Sequence, residues 1–349
     1  MKQHILTKNG VLMNKIDELF SPIGEIIAGN PDTPAGVIFK DCNTGLTVHR
    51  VILNAGLGGT EKNILLFADT HFACLNERDF AENNPLVIES YNRRKVHFKI
   101  EKCCDNVAKI MRFAPSFDKT ALLGDSMDFL SYGGLEMLSR CVLGDYPDTL
   151  VLVGNHDDTR IAGHKGVDPT DRASREQILA GAIKNDIFYH SEMLSDNLML
   201  IGLNNCHRRY TEYQRERLER DIQAAREQGI KIIISQHEMI NTGREEDARL
   251  PSMYMNSEWC YKSAYNFYNG NDKIGAQRDN ECTNAVYELI CSSADVISAI
   301  FAGHWHNAAY SEINASYLKD GEAIKAVIPQ YVVASAAYDD GFMTVLTVK

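Results

Sequence analysis

Six strand-length apolar runs, separated by longer mixed segments, are the feature that most restricts the fold of this 349-residue chain. They are NILLFA (63–68), TALLG (120–124), TLVLVG (149–154), LMLIGL (198–203), KIIIS (231–235) and VISAIFA (296–302). Short runs rich in Val, Ile and Leu are typical of strands that are buried on both faces. Because such strands alternate here with probable helical segments, the sequence predicts an α/β architecture.

Two of the intervening segments have clear helical periodicity, at 211–228 and 282–293. Gly229 follows the first segment and predicts its C-terminus. The apolar face of that helix is predicted to contain Tyr213, Leu218, Ile222 and Ala225. From Ala309 onward the sequence has the pattern of strands joined by turns, which predicts a β-rich end and a second sheet.

Residues 1–60 are interpreted as an N-terminal extension with a β-hairpin at Asn43-Thr44-Gly45, and 61–349 as the main domain. The glycine-rich stretch NAGLGGTEKN lacks GxGxxG spacing and precedes a strand, so we interpret it as a linker and not as a phosphate loop. These boundaries predict one large functional unit after a short extension.

A long insertion at 241–280 contains the aromatic-rich stretch 250–271. Two interpretations stay open: a hydrophobic cluster or subunit contact, and a cap that shapes the substrate pocket. Weak candidates for substrate binding are Arg244, Trp259 and Tyr261. Arg249 and Lys262 are alternatives to Arg244 for binding a phosphate, and the sequence does not choose among the three.

Bulk composition excludes some classes of function. The chain has 36 Lys and Arg against 47 Asp and Glu, a net charge of −11, so it has no global attraction for nucleic acid. Its nine cysteines form no CxxC pair, which favours a reducing compartment. No segment has the apolar length of a signal peptide or a membrane span. We therefore expect a cytoplasmic protein with no membrane partner.

Polar residues follow five of the six apolar runs. They are Asp69-Thr70-His71, Asp125 with Asp128, Asn155-His156-Asp157, Gln236-His237 and His304-Trp305-His306. Ligand sites in open α/β sheets form beyond the carboxyl ends of strands. Each residue alone would be an ordinary turn residue, but together they supply the imidazoles and carboxylates that suit Zn, Mn or Fe. The sequence therefore predicts a metal site.

The ordered set DxH, GDxxD, GNHD, H and GHxH resembles the calcineurin-like metallophosphoesterase superfamily. Here it is carried by DTH (69–71), GDSMD (124–128), GNHD (154–157), His237 and GHWH (303–306). The resemblance implies a four-layered α/β/β/α sandwich of two mixed sheets. It also implies a dinuclear metal site of Mn, Fe or Zn at the carboxyl ends of the strands.

The resemblance assigns a role to each residue of these motifs. One metal would be held by Asp69, His71 and His306; the other by Asn155, His237 and His304; and Asp125 would bridge the two. His156 would be the uncoordinated catalytic histidine, oriented by Asp128. The implied reaction is hydrolysis of a small phosphomonoester or phosphodiester by a hydroxide that bridges the metals, with His156 assisting the leaving group.

Departures from the family's motifs narrow the range of possible functions. Phe129, Val153 and Asp157 replace the Arg, Arg and Glu of the protein phosphatase branch, which argues against a Ser/Thr protein phosphatase. Glu238 stands where many relatives carry a second histidine, so His237 is the least secure ligand, and His207 competes with it. A nuclease acting on nucleic-acid ends and a non-catalytic interaction scaffold stay as alternatives. The expected partner is a small phosphorylated substrate, and the oligomeric state is open.

Two local details are left for the structure to decide. If GHWH continues the preceding strand, His304 and His306 point the same way and Trp305 turns away as packing.

The glycines before three of the motifs either allow close backbone approach or simply end strands. They are Gly124, Gly154 and Gly303. The six histidines outside the motifs are interpreted as hydrogen-bonded or surface residues. They are His4, His49, His97, His164, His190 and His207.

Overall fold

The computed structural model describes residues 16–20, 23–59, 61–161, 172–206, 209–240, 252–254, 281–338 and 340–349. Two mixed sheets of seven strands each account for the strands in these ranges. The strands are β1 Ile23–Gly29, β2 Val37–Asp41, β3 Thr47–Leu53, β4 Lys62–Phe67, β5 Lys119–Leu122, β6 Leu150–Val151, β7 Tyr189–Ser195, β8 Leu198–Leu203, β9 Lys231–Gln236, β10 Ser252–Tyr254, β11 Ile297–Ala302, β12 Ala308–Lys319, β13 Glu322–Val332 and β14 Phe342–Val348. The helices are α1 Glu77–Glu82, α2 Pro85–Arg94, α3 Ile100–Met111, α4 Tyr132–Leu138, α5 Arg172–Ala182, α6 Glu212–Gln228 and α7 Glu281–Cys291.

The first sheet has the strand order β1-β2-β3-β14-β4-β5-β6. Strands β4, β5 and β6 are parallel neighbours, and β3 is parallel to β14. The second sheet has the order β10-β12-β13-β11-β9-β8-β7, in which β8, β9, β11 and β13 are parallel. Each of the six apolar runs in the sequence overlaps one of these strands: β4, β5, β8, β9 and β11 lie inside the sheets, and β6 is an edge strand of the first sheet.

The core between the sheets consists of apolar side chains from alternate strand positions. Ile64 and Leu66 of β4 belong to the same buried cluster as Leu200, Ile233 and Phe301 of the second sheet. Since successive side chains on a strand point to opposite faces, the intervening residues of β4 are directed to the helical layer instead. The two sheets therefore pack face to face.

Helices cover the outer face of each sheet. Leu65 and Phe67 of β4 lie in one buried cluster with Val107 and Ile110 of α3. On the other side, Ile232 and Ile234 of β9 cluster with Leu218 and Ile222 of α6 and Val286 of α7. The predicted four-layered α/β/β/α sandwich of two mixed sheets is thus confirmed.

Strands from early and late in the sequence pair in the first sheet. The hairpin predicted at Asn43-Thr44-Gly45 joins β2 to β3, and β3 pairs in parallel with β14 along its whole length. Strands β1 to β3, which lie within residues 1–60, therefore belong to the first sheet, and the domain boundary itself stays a prediction. The expectation that the whole C-terminal tail forms a second sheet is wrong for β14, whose apolar side chains fill the centre of the first sheet.

The predicted boundaries of helix α6 are confirmed, and so are Leu218, Ile222 and Ala225 of its predicted buried face, but Tyr213 is exposed. Thr211 and Gln214 form a reciprocal capping box at the N-terminus, and Gly229 ends the helix in a left-handed conformation. The buried face contains Gln214, whose amide donates to the Phe188 carbonyl. Tyr213 points outward and donates to the Asp186 carboxylate. A buried amide with fixed partners replaces the expected aromatic residue.

In the part of the chain that the structure describes, no helix has the length and apolar content needed to cross a membrane. The predicted cytoplasmic location remains a prediction.

His49 is a fully buried imidazole in β3, far in sequence from the predicted metal site. Its Nε2 lies 2.8 Å from the Ala35 carbonyl oxygen, so that nitrogen carries the proton. Burial lowers the pKa of His49 to about 4, and the hydrogen bond to Ala35 offsets this only in part. The folded protein therefore keeps this side chain neutral.

This burial predicts acid sensitivity. Between about pH 6.5 and about pH 4, the unfolded chain binds a proton at His49 that the folded chain does not, so the free energy of unfolding falls as the pH falls. In urea unfolding at a series of pH values, the free energy of unfolding of a His49→Gln variant should fall less steeply as the pH falls. The difference in slope should correspond to about one bound proton. An identical slope in the two proteins would contradict the buried neutral imidazole.

Candidate metal centre

The five polar motifs follow neighbouring parallel strands. In the first sheet they come after β4, β5 and β6, and in the second after β9 and β11. Parallel strands place their carboxyl ends at one edge of a sheet. The two sheets are packed together, so the five motifs meet at one end of the sandwich, as the sequence pattern predicts.

One group of potential metal ligands is fully buried and contains Asp69, His71, Asp125 and His306. The Nε2 atoms of His71 and His306 lie 2.8 Å apart. Asp69 Oδ1 is 3.4 Å from His306 Nε2 and 3.9 Å from His71 Nε2. Asp125 Oδ2 is also 3.9 Å from His71 Nε2. These four side chains surround a common point.

A second group contains Asp125, His237 and His304. Asp125 Oδ2 is 3.2 Å from His237 Nε2, and Asn155 Oδ1 is 2.9 Å from the same nitrogen. Because Asp125 belongs to both groups, its carboxylate lies where a bridging ligand would be. The structure therefore brings together the seven residues to which the resemblance assigns metal binding.

The hydrogen bonding of His237 shows that this arrangement suits a cation. Its Nδ1 lies 2.7 Å from the Leu123 carbonyl oxygen, which can only accept, so Nδ1 carries the proton. Nε2 then directs its lone pair at the Asn155 and Asp125 oxygens, which are also acceptors. Burial lowers the pKa of His237, but the nearby Asp125 carboxylate outweighs this and raises it to about 10. A proton or a metal ion must supply positive charge here.

The ring of His71 is oriented in a similar way to that of His237, with Nδ1 toward a protein oxygen and Nε2 toward the ligand group. Its Nδ1 lies 3.1 Å from Asp128 Oδ1, and its Nε2 faces His306 Nε2 at 2.8 Å. Burial lowers the pKa of His71 to about 4, against the effect of Asp128, so the ring is neutral. Neutral imidazole oriented by a carboxylate is the usual form of a metal-binding histidine. The residues present therefore fit metal ions.

Backbone strain is concentrated at this site. In the described ranges seven residues other than glycine have positive φ, and five of them belong to the two ligand groups. The five are Asp69 (55°), His71 (46°), Asp125 (49°), His304 (69°) and His306 (59°). Such conformations are costly for residues with a Cβ and cluster at functional sites, where surrounding structure enforces them.

The GHWH segment is not a continuation of β11. That strand ends at Ala302, and residues 303–307 bend before β12 begins. His304 and His306 reach their positions through left-handed backbone conformations, so the predicted strand geometry is wrong although both rings face the site. Trp305 between them is buried.

Close backbone packing explains the glycines that precede the motifs. A Cβ at Gly154 would lie 2.2 Å from both the backbone N and Oδ1 of Asp125. Gly124 has a φ of 88°, and a Cβ there would lie 2.5 Å from His237 Nδ1. Of the two interpretations left open by the sequence, close approach is the one observed.

His156 is held by Asp128 at the edge of the centre. Its Nδ1 lies 2.8 Å from the Asp128 carbonyl oxygen and 3.3 Å from Asp128 Oδ1. Burial lowers the pKa of His156, and the Asp125 and Asp128 carboxylates raise it to a net value of about 9. The backbone N–H of His156 donates to Asp125 Oδ1 at 2.8 Å. This ring is therefore oriented by the same loops that carry the ligands.

Sequence reasoning missed Arg94, at the end of α2. Its guanidinium binds the Asp128 carboxylate in a bidentate manner, at 2.7 Å through Nε and 2.9 Å through Nη2. The guanidinium also lies over the ring of Phe98, and that ring stacks on His71 at a centroid distance of 4.4 Å. No signal marks Arg94 in the sequence, because basic residues are common in the last turn of any helix.

Glu238, the departure in the fourth motif, is also at the site. Its side chain is buried, and Oε2 lies 4.0 Å from His304 Nε2. The competing candidate His207 lies outside the described residues, as do Arg244, Trp259 and Tyr261. From the insertion, the structure describes β10, which pairs with Ala308 and Ala309 of β12, close in sequence to His306.

No protein-family model matches the chain, and no curated protein matches it. Among solved structures, the chain is similar to a dimetal phosphatase from Danio rerio, with 11% identity and a TM-score of 0.46 over 81% of this chain and 91% of that one. It is similar to a purple acid phosphatase from yellow lupin (Lupinus luteus) seeds, with 12% identity and a TM-score of 0.42 over 94% of this chain and 56% of that one. A predicted phosphoesterase from Streptococcus pneumoniae matches with 11% identity and a TM-score of 0.25, over 80% of this chain and 75% of that one. At these identities and TM-scores, the likenesses decide nothing about the chemistry of this chain.

A Gly154→Ala substitution should impair metal binding, because the added Cβ collides with the backbone and carboxylate of Asp125. We expect Mn²⁺ or Zn²⁺ to raise the unfolding temperature of the unsubstituted protein, and to raise that of Gly154→Ala much less. The matched control is Gly181→Ala in α5, where a Cβ meets open space. An equal metal-induced rise in both variants would contradict the proposed packing of Asp125.

Proposed function

We propose that this chain is a dinuclear metal-dependent phosphoesterase that hydrolyses a small phosphomonoester or phosphodiester. The observation that carries the proposal is the pair of ligand groups that share Asp125, next to a histidine held by Asp128. Metal pairs bridged in this way are typical of enzymes that stabilise both the attacking and the leaving oxygen of a phosphoryl transfer.

Asp69, His71, Asp125 and His306 would hold one ion, and Asp125, Asn155, His237 and His304 the other. When bound, Mn, Fe or Zn ions would supply Lewis acidity and lower the pKa of a nucleophilic water. The mixture of imidazole, amide and carboxylate donors suits these metals.

The residues of the chain itself would hold the proton donor in place and protonate the leaving oxygen. His156 is proposed to donate its Nε2 proton to the leaving oxygen as the phosphorus–oxygen bond breaks, and to regain a proton from solvent afterwards. The Asp128 carbonyl and carboxylate fix the ring through Nδ1. Arg94 in turn fixes the Asp128 carboxylate. This chain of contacts would keep the proton donor in one orientation.

Substrate recognition is proposed to involve the insertion, which is one of the two roles that the sequence leaves open for it, with Arg244, Trp259 and Tyr261 as candidates. The net charge of −11 is the argument against an extended nucleic-acid substrate. A non-catalytic scaffold is disfavoured because such a protein would have no need for five strained residues around converging lone pairs.

The proposal is tested with p-nitrophenyl phosphate and bis-p-nitrophenyl phosphate, each with Mn²⁺, Fe²⁺ or Zn²⁺. Asp125→Asn should abolish metal-dependent hydrolysis, and His156→Gln should lower kcat about 10²–10⁴-fold. Matched controls are Asp145→Asn, on the surface, and His190→Gln, in β7 outside the ligand groups. Activity that survives both Asp125→Asn and His156→Gln would overturn the assignment.

Comparing leaving groups isolates the role of His156. An alkyl phosphate releases a more basic oxygen than p-nitrophenyl phosphate does, and therefore depends more on a proton donor. His156→Gln should accordingly slow hydrolysis of the alkyl ester by the larger factor. Equal factors on both esters would show that His156 does not protonate the leaving group.

A further inference from the structure

Two cysteines lie in contact in the helical layer outside the first sheet. Cys104 belongs to α3, and Cys141 belongs to the π-helical turn Ser139–Leu143 that follows α4. Their Sγ atoms are 3.7 Å apart, and both side chains are partly accessible to solvent. Neither residue belongs to a ligand group of the metal centre. The proposed phosphoesterase reaction gives this pair no role.

The surroundings of the pair favour a reactive thiolate. Arg140 adjoins Cys141, and the Met137 thioether lies 3.8 Å from Cys104 Sγ. The S–H···S hydrogen bond lowers the pKa of Cys141 to about 6 against the effect of burial, and the Arg140 guanidinium acts in the same direction. The pKa of Cys104 is raised by the same bond and by burial. One sulfur of the pair is thus suited to attack and the other to hold a proton.

Four other cysteines of the described chain differ from Cys141 in burial or in the pKa of the thiol. Burial raises the pKa of Cys74 and of Cys103 to about 12, and it raises that of Cys206. Cys42 is an exposed cysteine. Reactive cysteines are found where a positive charge and partial exposure occur together, as they do at Cys141.

We propose that Cys104 and Cys141 are a redox modification site, at which a small disulfide such as oxidised glutathione oxidises the two thiols to a reversible Cys104–Cys141 disulfide. The Cys141 thiolate attacks one sulfur of the oxidant, forms a mixed disulfide and expels one thiolate. Cys104 then loses its proton and attacks Cys141 Sγ, which expels the second thiolate. Two protein thiols are oxidised, one small disulfide is reduced to two thiols, and the protons pass to the released thiolates.

The bond would tie α3 to the segment after α4. Helix α3 is anchored to the first sheet through the buried side chains Val107 and Ile110, and Asn106 donates to the Ala336 carbonyl. The disulfide would close a loop of the unfolded chain between residues 104 and 141, which favours the folded state. Oxidation should therefore stabilise the helical layer beside the metal centre, and it involves none of the proposed metal-binding residues.

The test exposes the full-length protein to oxidised glutathione, blocks the remaining thiols with iodoacetamide and maps the peptides without reduction. We expect a peptide cross-linked through Cys104 and Cys141 that dithiothreitol reverses. Cys104→Ser should accumulate a glutathione adduct at Cys141. Cys141→Ser should form an adduct at Cys104 at least about tenfold more slowly, since thiolate is the attacking species.

The control is Cys42→Ser, which removes an exposed thiol and should leave the cross-link unchanged. In the unsubstituted protein, a glutathione adduct on Cys42 shows that the oxidant is active. If Cys42 is modified while Cys104 and Cys141 stay unlinked, the proposal is overturned. It is also overturned if Cys104 reacts as fast without Cys141 as Cys141 does without Cys104.

Discussion

The carboxylate of Asp125 is the contact on which both halves of the site depend. Its Oδ2 faces His237 from the second sheet and His71 from the first, while Oδ1 accepts the backbone N–H of His156. Nitrogen lone pairs and carboxylate oxygens converge there in a buried space, and such a concentration of acceptors requires positive charge. The two sheets supply the opposing ligands, so the centre is complete only where the two sheets pack together.

The fold tolerates this arrangement because strain and packing compensate each other. Left-handed backbone at Asp69 and Asp125 turns their side chains inward directly after a strand, and Gly154 lets the next loop lie against Asp125. The Asp157 carboxylate then accepts the backbone N–H groups of Gly154, Ser126 and Met127, which locks these two loops together. Hydrogen bonds that satisfy buried groups thus offset conformations that would be costly in isolation.

The sequence predicts six of the strands and the position of the site because both depend on local signals, namely apolar runs of strand length and the polar residues directly after them. The four layers and the role of each ligand are what the family resemblance implies. Three features are not local and could not be predicted. Strand β14 returns to the first sheet through long-range pairing, and Arg94 reaches Asp128 from a helix with no motif. The bend of GHWH comes from left-handed backbone at His304 and His306, next to Gly303, where a Cβ would lie 2.9 Å from Asp69 Oδ2.

The central claim is that two metal ions share Asp125, and anomalous X-ray diffraction from crystals grown with Mn²⁺ tests it most directly. The account predicts two anomalous peaks about 3.5–4 Å apart. One should lie among Asp69, His71 and His306, and the other among Asn155, His237 and His304, with Asp125 between them. The absence of any peak at these residues, or a single peak that does not contact Asp125, would contradict the account.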